Sequence, residues 1–260
     1  MSIQITTELV KELRDATGVS VMQCRNALIE AEGDKEKAVL ILKKKSSDIA
    51  LKKAGRDASN GLVTVVGNNE KNILLILHCE TDFVAKNEDF VNLTKALADK
   101  ALNEGIDKMK AESLDMINPV VQKVGEKIEL GVVTEIFGGV LGNYTHNGKS
   151  AVIVSLNGGT PELARDIAMH IAAMKPLYMT REEISDTIKE QVKEMFVKEV
   201  EGIDKGEDIK QKMLQGKIDS YFKEQTLVDQ PFIKNGDVTV GTLLANSKAS
   251  LLKFVRESVI

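Results

Sequence analysis

The sequence predicts an α+β protein that consists of a small helical domain, a duplicated α/β core of antiparallel hairpins and helices, and a protruding antiparallel helical hairpin. Three observations support this prediction. Short helical patterns fill the first 54 residues, a β-hairpin followed by a helix occurs twice in the middle of the chain, and a later segment carries two apolar stripes among Glu and Lys. We expect domains at residues 1–54, 55–139 and 140–260, with the helical hairpin at about 181–226.

Three short helices are expected in the first domain. Their starts carry residues that cap helices: Thr6 or Thr7, Ser20 with Gln23, and Asp34. The second helix has an apolar face made of Val21, Cys24, Ala27, Leu28 and Ala31. We therefore interpret Cys24 as a core residue. The basic segment Lys43–Arg56 that follows could steer an acidic partner, although a solvated helical linker is the more common structure for such a composition.

The first half of the core is expected to begin with a β-hairpin. Two apolar segments, Gly61–Val66 and Ile73–Leu77, flank the turn residues Gly67-Asn68-Asn69. The elements expected next are an amphipathic helix, a helical segment interrupted by Pro119, and a strand: Glu88–Glu104, 107–125 and Gly131–Phe137.

The second half repeats this order. Its hairpin consists of Val140–Tyr144, the turn His146-Asn147-Gly148 and Ala151–Leu156. Thr160 and Pro161 can then cap and begin a helix that ends near Met174. A shift of 79 residues aligns Thr81 with Thr160, and beyond them the best shift is 71. The first copy therefore carries an insertion, Asp82–Asp89.

The helical hairpin is indicated by two apolar stripes. They contain Ile184, Ile188, Val192 and Met195, then Ile209, Met213, Ile218, Tyr221 and Phe222. Asp204-Lys205-Gly206 separates them, so we expect two antiparallel helices joined by a short turn.

The stretch Glu80–Asn87 lies between an apolar strand and a helix, where functional residues concentrate. One interpretation is that Phe83 projects as a wedge into a partner while Asp82 disturbs the local charge. The alternative is that Phe83 folds back onto the sheet and Asp82 caps the next helix, which is commoner for an aromatic residue in a turn. Because only one copy contains this extra loop, the insertion favours the wedge.

Composition limits the possible functions. The net charge of −4 argues against a protein that binds nucleic acid through its phosphates. No apolar run is long enough to span a membrane, and Met1-Ser2-Ile3-Gln4 has no signal-peptide core. Cys24 and Cys79 form no CxxC pair, so neither a disulfide scaffold nor a thiolate metal site is indicated. We expect a cytoplasmic protein without cofactor, metal or membrane attachment.

Catalytic motifs are absent from the sequence: it contains no phosphate-binding loop, no GxSxG and no HExxH. An enzyme that used Glu80, Asp82 and His78 is the alternative from another functional class, but no nucleophile accompanies them. Adjacent side chains in a strand also point to opposite faces, which is poor geometry for a metal site. His170 is expected in the core, and His146 at a hairpin tip is expected to be exposed.

Several segments together resemble the translation elongation factor Ts family. They occur in that family's order over nearly the whole chain: Thr17-Gly18 with Met22 and Cys24–Leu28, Thr81–Lys86, Tyr144 with His146, Ile167–Ala172, Gln230-Pro231-Phe232 and Val240-Gly241. The resemblance implies a guanine-nucleotide exchange factor for elongation factor Tu rather than an enzyme. It also implies a ubiquitin-associated-like first domain and a coiled-coil hairpin. A plain adaptor built on the helical domain remains a third possibility.

The same resemblance implies roles for individual residues. Phe83 would wedge between helices of the partner's GTPase domain, and Asp82 would help to dislodge its Mg²⁺. Thr81 and Val84 would hold the loop in shape. Further partner contacts are implied for Val21, Met22, Val124 and His146. Two residues depart from the family pattern: Val21 replaces a common Met, and Glu80 stands where Gln is common.

Overall fold

The computed structural model describes residues 5–259 and shows a mixed α+β architecture, which confirms the predicted fold class. Helices α1, α2 and α3 of the N-terminal part span Thr7–Thr17, Val21–Glu30 and Lys35–Lys53. The predicted caps are confirmed, because Thr6, Ser20 and Asp34 each accept a hydrogen bond from a backbone N–H in the first turn. Most of the basic segment continues α3.

Cys24 is buried in the core of this helical part, as expected. The residues around it are mainly small or aliphatic: Val10, Leu13, Val19, Ala27, Leu28, Ala31, Ala38 and Leu42. The expectation that Val21 shares this apolar face is wrong. Val21 is the first residue of α2 and is 51% exposed, since the buried positions of α2 begin one turn later, at Cys24.

The first half of the core contains a three-stranded antiparallel sheet with β2 in the centre. Its strands β1, β2 and β3 span Asn60–Gly67, Lys71–Cys79 and Ile128–Phe137. Between β2 and β3 lie helices α4, α5 and α6, which span Asp82–Ala85, Glu88–Glu104 and Ile106–Val124.

The expected interruption at Pro119 is wrong, because α6 continues through this residue. Proline removes one backbone hydrogen bond from a helix interior. Here α6 buries Met109, Ile117 and Val121 and packs against both α3 and α5. The burial of this apolar face outweighs the local preference of proline, since most helix stability in proteins comes from tertiary packing.

The second half has the same plan, with a central strand β5 that pairs with β4 on one side and β8 on the other. Strands β4 and β5 and helix α7 span Val140–His146, Ser150–Asn157 and Pro161–Met174. The later elements are α8 (Asp186–Glu201), α9 (Glu207–Gln225), β6 (Pro231–Phe232), β7 (Asn235–Thr239), α10 (Val240–Asn246) and β8 (Ser250–Ser258). Thr81 and Thr160 occupy matching positions, since each caps the first helix after the central strand.

The two sheets pack face to face and thereby join the halves of the core. The shared apolar layer contains Val63, Leu74, Ile76, Ile136, Ala151, Ile153 and Val259. Alternate residues of the central strands face the helices instead, as Leu75 and Leu77 do in β2 and Val152 and Val154 do in β5. Both central strands are therefore buried on two sides, which explains their continuous apolar sequences.

Helices α8 and α9 form the predicted antiparallel pair. The Lys217 ammonium lies 2.7 Å from a carboxylate oxygen of Glu199, and the rings of Phe196 and Tyr221 meet edge to face with centroids 6.0 Å apart. Near the base of the pair, Ile184, Val192 and Phe222 form a small buried cluster. The two helices are thus held by an ion pair, an aromatic contact and apolar packing.

His170 is a buried core residue, as expected, and both of its ring nitrogens have hydrogen-bond partners. Gln230 donates its amide N–H to the carbonyls of Glu224 and Met174, so its Oε1 faces His170 Nε2 at 2.9 Å. His170 Nε2 therefore carries the proton, and Nδ1 accepts from the backbone N–H of Ile233 at 3.2 Å. Burial lowers the pKa of His170, because it disfavours the charged imidazolium.

We expect this histidine to make the protein less stable in mild acid. The folded pKa lies below the ordinary value of 6.5, so the unfolded state binds the proton more readily and the stabilisation is lost as the pH falls below that value. One such site changes the free energy of unfolding by at most about 1.4 kcal/mol per pH unit. The free energy of unfolding in urea should fall less steeply between pH 7 and pH 5 for His170→Gln than for the wild type. His146→Gln, on an exposed turn, serves as the control; equal slopes for all three proteins would contradict the prediction.

Candidate functional site

The loop after β2 presents one aromatic ring to solvent. It forms the single-turn helix α4, in which Val84 and Ala85 pack into the core while Phe83 is 81% exposed. The interpretation in which Phe83 folds back onto the sheet is therefore wrong. Asp82 does not cap the next helix either, because Thr81 caps α4 and Asn87 caps α5. The loop is thus anchored by Val84 and Ala85, and most of the Phe83 ring stays accessible to solvent.

Thr81 fixes the start of this helix through Glu126. The Thr81 backbone N–H donates to one carboxylate oxygen of Glu126 at 3.0 Å, and its hydroxyl donates to the other at 2.7 Å. The same hydroxyl oxygen accepts from the Val84 N–H at 3.4 Å. Hydrogen bonds to an ionised carboxylate are among the stronger ones in proteins, so Glu126 holds the loop to the segment that leads into β3.

Glu80 anchors the other side of the loop base. One of its carboxylate oxygens accepts from the Lys127 N–H at 2.6 Å, and Arg56 approaches the same carboxylate at 3.2 Å. The Lys127 hydrogen bond and then the Arg56 side chain keep the pKa of Glu80 below its ordinary value. The Glu80 carbonyl in turn accepts from Asn60 Nδ2 at 3.0 Å. The carboxylate of Glu80 is thus paired with a nearby arginine.

Asp82 lies on the exposed side of α4 beside Lys86. The Lys86 ammonium is 2.9 Å from a carboxylate oxygen of Asp82. This hydrogen bond and charge lower the pKa of Asp82. Asp82 is therefore ionised at neutral pH and sits next to the exposed ring of Phe83.

Cys79 lies directly beneath this loop. Its thiol donates to the Thr81 carbonyl at 3.1 Å. Burial, together with the charge of Glu126, raises the pKa of the Cys79 thiol to about 11. Because the thiolate is the reactive form, this cysteine is a structural group that supports the loop.

The turn before the N-terminal contact residues predicted from the sequence lies against the end of α6. Val21 and Met22 are exposed at the start of α2, with 66% of Met22 accessible. The preceding turn at Gly18 lies against the Lys123 side chain, whose ammonium is 3.0 Å from a carboxylate oxygen of Asp89 at the start of α5. Lys53 of α3 also donates to the Gly125 carbonyl, just before Glu126.

The other two predicted contacts differ in exposure. Val124 is half-buried at the end of α6 and packs against the core of the first half. His146 is exposed on the turn between β4 and β5, as expected, and its Nδ1 lies 3.2 Å from the Tyr144 hydroxyl. Asn147 and Gly148 have φ angles of 52° and 66°, which suits a tight hairpin turn. That turn reaches the first half of the core, because Gly148 accepts a hydrogen bond from the Val63 N–H at 2.8 Å.

Two of the three groups of the enzyme alternative are paired with other residues, and the third lies within the sheet. Glu80 binds Lys127 and Arg56, Asp82 binds Lys86, and His78 is half-buried in the sheet. Across residues 5–259, His, Cys, Asp and Glu side chains form no group of three or more suited to a metal ion. In the same range no helix has the length and apolar character needed to cross a bilayer.

Glu126 is the site residue that the sequence did not reveal. It lies 45 positions from Thr81, in a segment that looked like a simple approach to a strand. An acidic residue before a strand is common and can have many partners. Only the folded chain shows that this one accepts two hydrogen bonds from Thr81. The cap at Thr81 was detectable, since the matching Thr160 already stood before a helix.

Comparison with known proteins gives the family of the chain. A family model described as Elongation factor TS matches residues 80–259. The chain is 37% identical to Elongation factor Ts of Hahella chejuensis, over 98% of this chain and 92% of that protein. It is 38% identical to Elongation factor Ts of Marinobacter nauticus, over 98% and 91%. It is 36% identical to Elongation factor Ts of Alcanivorax borkumensis, over 95% and 92%.

These matches extend along almost the full length of the relatives and include the loop that presents Phe83. They define the class of protein, a translation elongation factor. The chain belongs to the elongation factor Ts family.

We expect Glu126→Gln to loosen the loop without unfolding the protein. The amide cannot replace both charged hydrogen bonds to Thr81, and bonds of this type contribute about 1.5–3 kcal/mol each. Amide hydrogen exchange followed by NMR should show faster exchange at Thr81 and Val84. Glu129→Gln is a matched control, because Glu129 is an exposed acid three residues further on that pairs with the Lys127 side chain instead of Thr81. If the Thr81 amide exchanges as slowly in Glu126→Gln as in the wild type, the carboxylate does not hold the loop.

Proposed function

We propose that this chain is a guanine-nucleotide exchange factor for elongation factor Tu. It binds the GDP complex of that GTPase, promotes release of GDP and Mg²⁺, and is displaced when GTP binds. Membership of the elongation factor Ts family supports this proposal. The structural observation that carries it is Phe83, an exposed ring on a loop whose base is held on both sides.

Phe83 acts as the wedge. Burying a phenylalanine side chain contributes about 1.5–3 kcal/mol, and most of this ring is exposed and available in the free protein. At about 1.4 kcal/mol per factor of ten, insertion between helices of the GTPase domain provides an affinity change of roughly 10- to 100-fold. Thr81 and Val84 hold the loop, so little ordering is required when it binds.

Asp82 supplies a negative charge next to the wedge. Its ion pair with Lys86 is exposed, so a bound partner can replace it. Inside the partner's nucleotide site the carboxylate disturbs the coordination of Mg²⁺, which belongs to the partner and not to this chain. The coupling is reciprocal, because a factor that weakens nucleotide binding is itself weakened by nucleotide to the same extent.

Further contacts extend this interface. Val21 and Met22 of the N-terminal helices touch the GTPase domain, Val124 packs beside the wedge, and His146 adds a contact from the second half. Their exposure or their position near the loop supports these roles. The second half of the core binds another domain of the partner. Several contact regions are needed, since one phenylalanine cannot supply the whole exchange effect.

The domain layout follows from the same proposal. Residues 1–54 form a ubiquitin-associated-like three-helix domain, 55–139 the first core subdomain, and 140–260 the second, from which a coiled-coil hairpin at about 181–226 extends. The packing of α1–α3 around Cys24 and of α8 against α9 supports this division. The protein acts in the cytoplasm as a binding factor rather than an enzyme, without a cofactor, direct nucleic-acid contact or membrane attachment.

We expect Phe83→Ala to reduce the acceleration of GDP release by about tenfold or more. The side chain is exposed, so its removal leaves the fold intact and takes away only the group that would enter the partner. Release of a fluorescent GDP from elongation factor Tu, with and without each protein, measures the effect. Phe137→Ala is the matched control, since Phe137 is 74% exposed at the far end of β3.

Three outcomes distinguish the possible functions. Acceleration by the wild type and by Phe137→Ala, but not by Phe83→Ala, supports the wedge. If all three proteins accelerate GDP release equally, contacts other than Phe83 cause the nucleotide exchange. Binding to the GTPase without acceleration by any of them supports the adaptor and overturns the proposed exchange activity.

A further inference from the structure

Lys149 links the two halves of the core at the end nearest the loop. It follows the turn that carries His146, and its half-buried side chain crosses to β1, where the ammonium donates to the Gly61 carbonyl at 3.2 Å. Its own carbonyl accepts from the Val259 N–H at 2.9 Å, which holds the backbone at this point in the second half. Lys149 therefore has its backbone in one half and its charged end on the other.

The strand that Lys149 reaches leads directly to the Phe83 loop. In the pairing of β1 with β2, Gly61 lies opposite His78 and Asn60 lies opposite Cys79. Asn60 then donates to the Glu80 carbonyl at the loop base. One strand pair and one side-chain hydrogen bond thus separate the Lys149 contact from the start of the loop.

The ammonium of Lys149 has an unusual environment for a half-buried cation. Within the described part of the chain its hydrogen-bond partner is a backbone carbonyl, and no carboxylate forms an ion pair with it. After Lys86, which has the largest effect, Lys149 also contributes to the lowered pKa of Asp82. Among the described residues, the Lys149 ammonium is therefore held by a carbonyl of the other half of the core.

We propose that Lys149 is a positioning residue that fixes the His146 turn against the strand leading to the Asp82-Phe83 loop. This inference rests on the exchange function proposed above. Apolar contact between the sheets is non-directional, whereas a hydrogen bond fixes both a distance and an angle. The Lys149 side chain therefore adds a second directional link to the hydrogen bond between the Val63 N–H and the Gly148 carbonyl. With Lys149 in place, the loop and the turn meet the partner as one preformed surface, which lowers the ordering cost of binding.

The direct test compares Lys149→Met with Lys149→Arg. Methionine keeps the apolar stem but removes the donor, and we expect it to reduce the acceleration of GDP release by about tenfold, the size of one hydrogen bond to a charged group. Arginine restores a charged donor and should recover most of the activity. Lys71→Met is the matched control, because Lys71 is also half-buried in the sheet but lies at its opposite end beside Glu135. Equal loss in the methionine and arginine variants of Lys149 would overturn the proposal.

A double-mutant cycle separates positioning from a general loss of stability. If Lys149 acts by placing His146, Lys149→Met should have a much smaller effect on GDP release when it is combined with His146→Ala. Additive effects of the two changes would contradict a positioning role. Thermal unfolding of each variant identifies any effect that comes only from a less stable fold.

The coupling can also be tested without the partner. In the isolated protein, Lys149→Met should raise the rate of amide hydrogen exchange about tenfold, both at residues 80–87 and at residues 145–149. Lys71→Met should leave these rates unchanged. If the wild type fails to accelerate GDP release, the proposed function is wrong while this measurement still decides the structural coupling. Unchanged exchange in both segments would overturn the role of Lys149 whatever the outcome with elongation factor Tu.

Discussion

The two hydrogen bonds from Thr81 to the Glu126 carboxylate are the interaction on which the site depends. They set the start of a helix only four residues long, which could not persist by itself because helix nucleation is unfavourable. Once that turn is fixed, Val84 and Ala85 must face the core and Phe83 must face solvent. The exposed ring is therefore a consequence of the anchor beneath it. A flexible loop with the same sequence would let the ring collapse onto apolar surface.

The larger architecture brings segments that are distant in the sequence into contact with the first half of the core. The face-to-face packing of the two sheets carries the turn of the second hairpin to β1, where Gly148 and Lys149 both bond to the first half. The N-terminal helices approach the first half at another point, where Gly18 lies against Lys123 at the end of α6. The proposed exchange function requires contacts with several parts of a GTPase, and these segments are the ones proposed to make them.

Local patterns were sufficient to predict most elements from the sequence. The caps at Thr6 and Thr160, the hairpin turns and the core positions of Cys24 and His170 follow from rules that act over a few residues. The predictions that failed depended on distant contacts. Pro119 stays helical because two other helices pack on α6, and Val21 is exposed because the core of the helical part begins at Cys24. Glu126 and Lys149 could not be found at all, since their partners are far away in the sequence.

The most direct test of the central claim is a solvent-exposure measurement on the ring itself. Fluorophenylalanine at position 83 reports its contact with water through the difference in ¹⁹F shift between H₂O and D₂O. A preformed wedge predicts a large difference in the free protein that disappears in the complex with nucleotide-free elongation factor Tu, while the loop amides stay protected in both states. A ring that is already buried in the free protein, or that stays exposed in the complex, would contradict it.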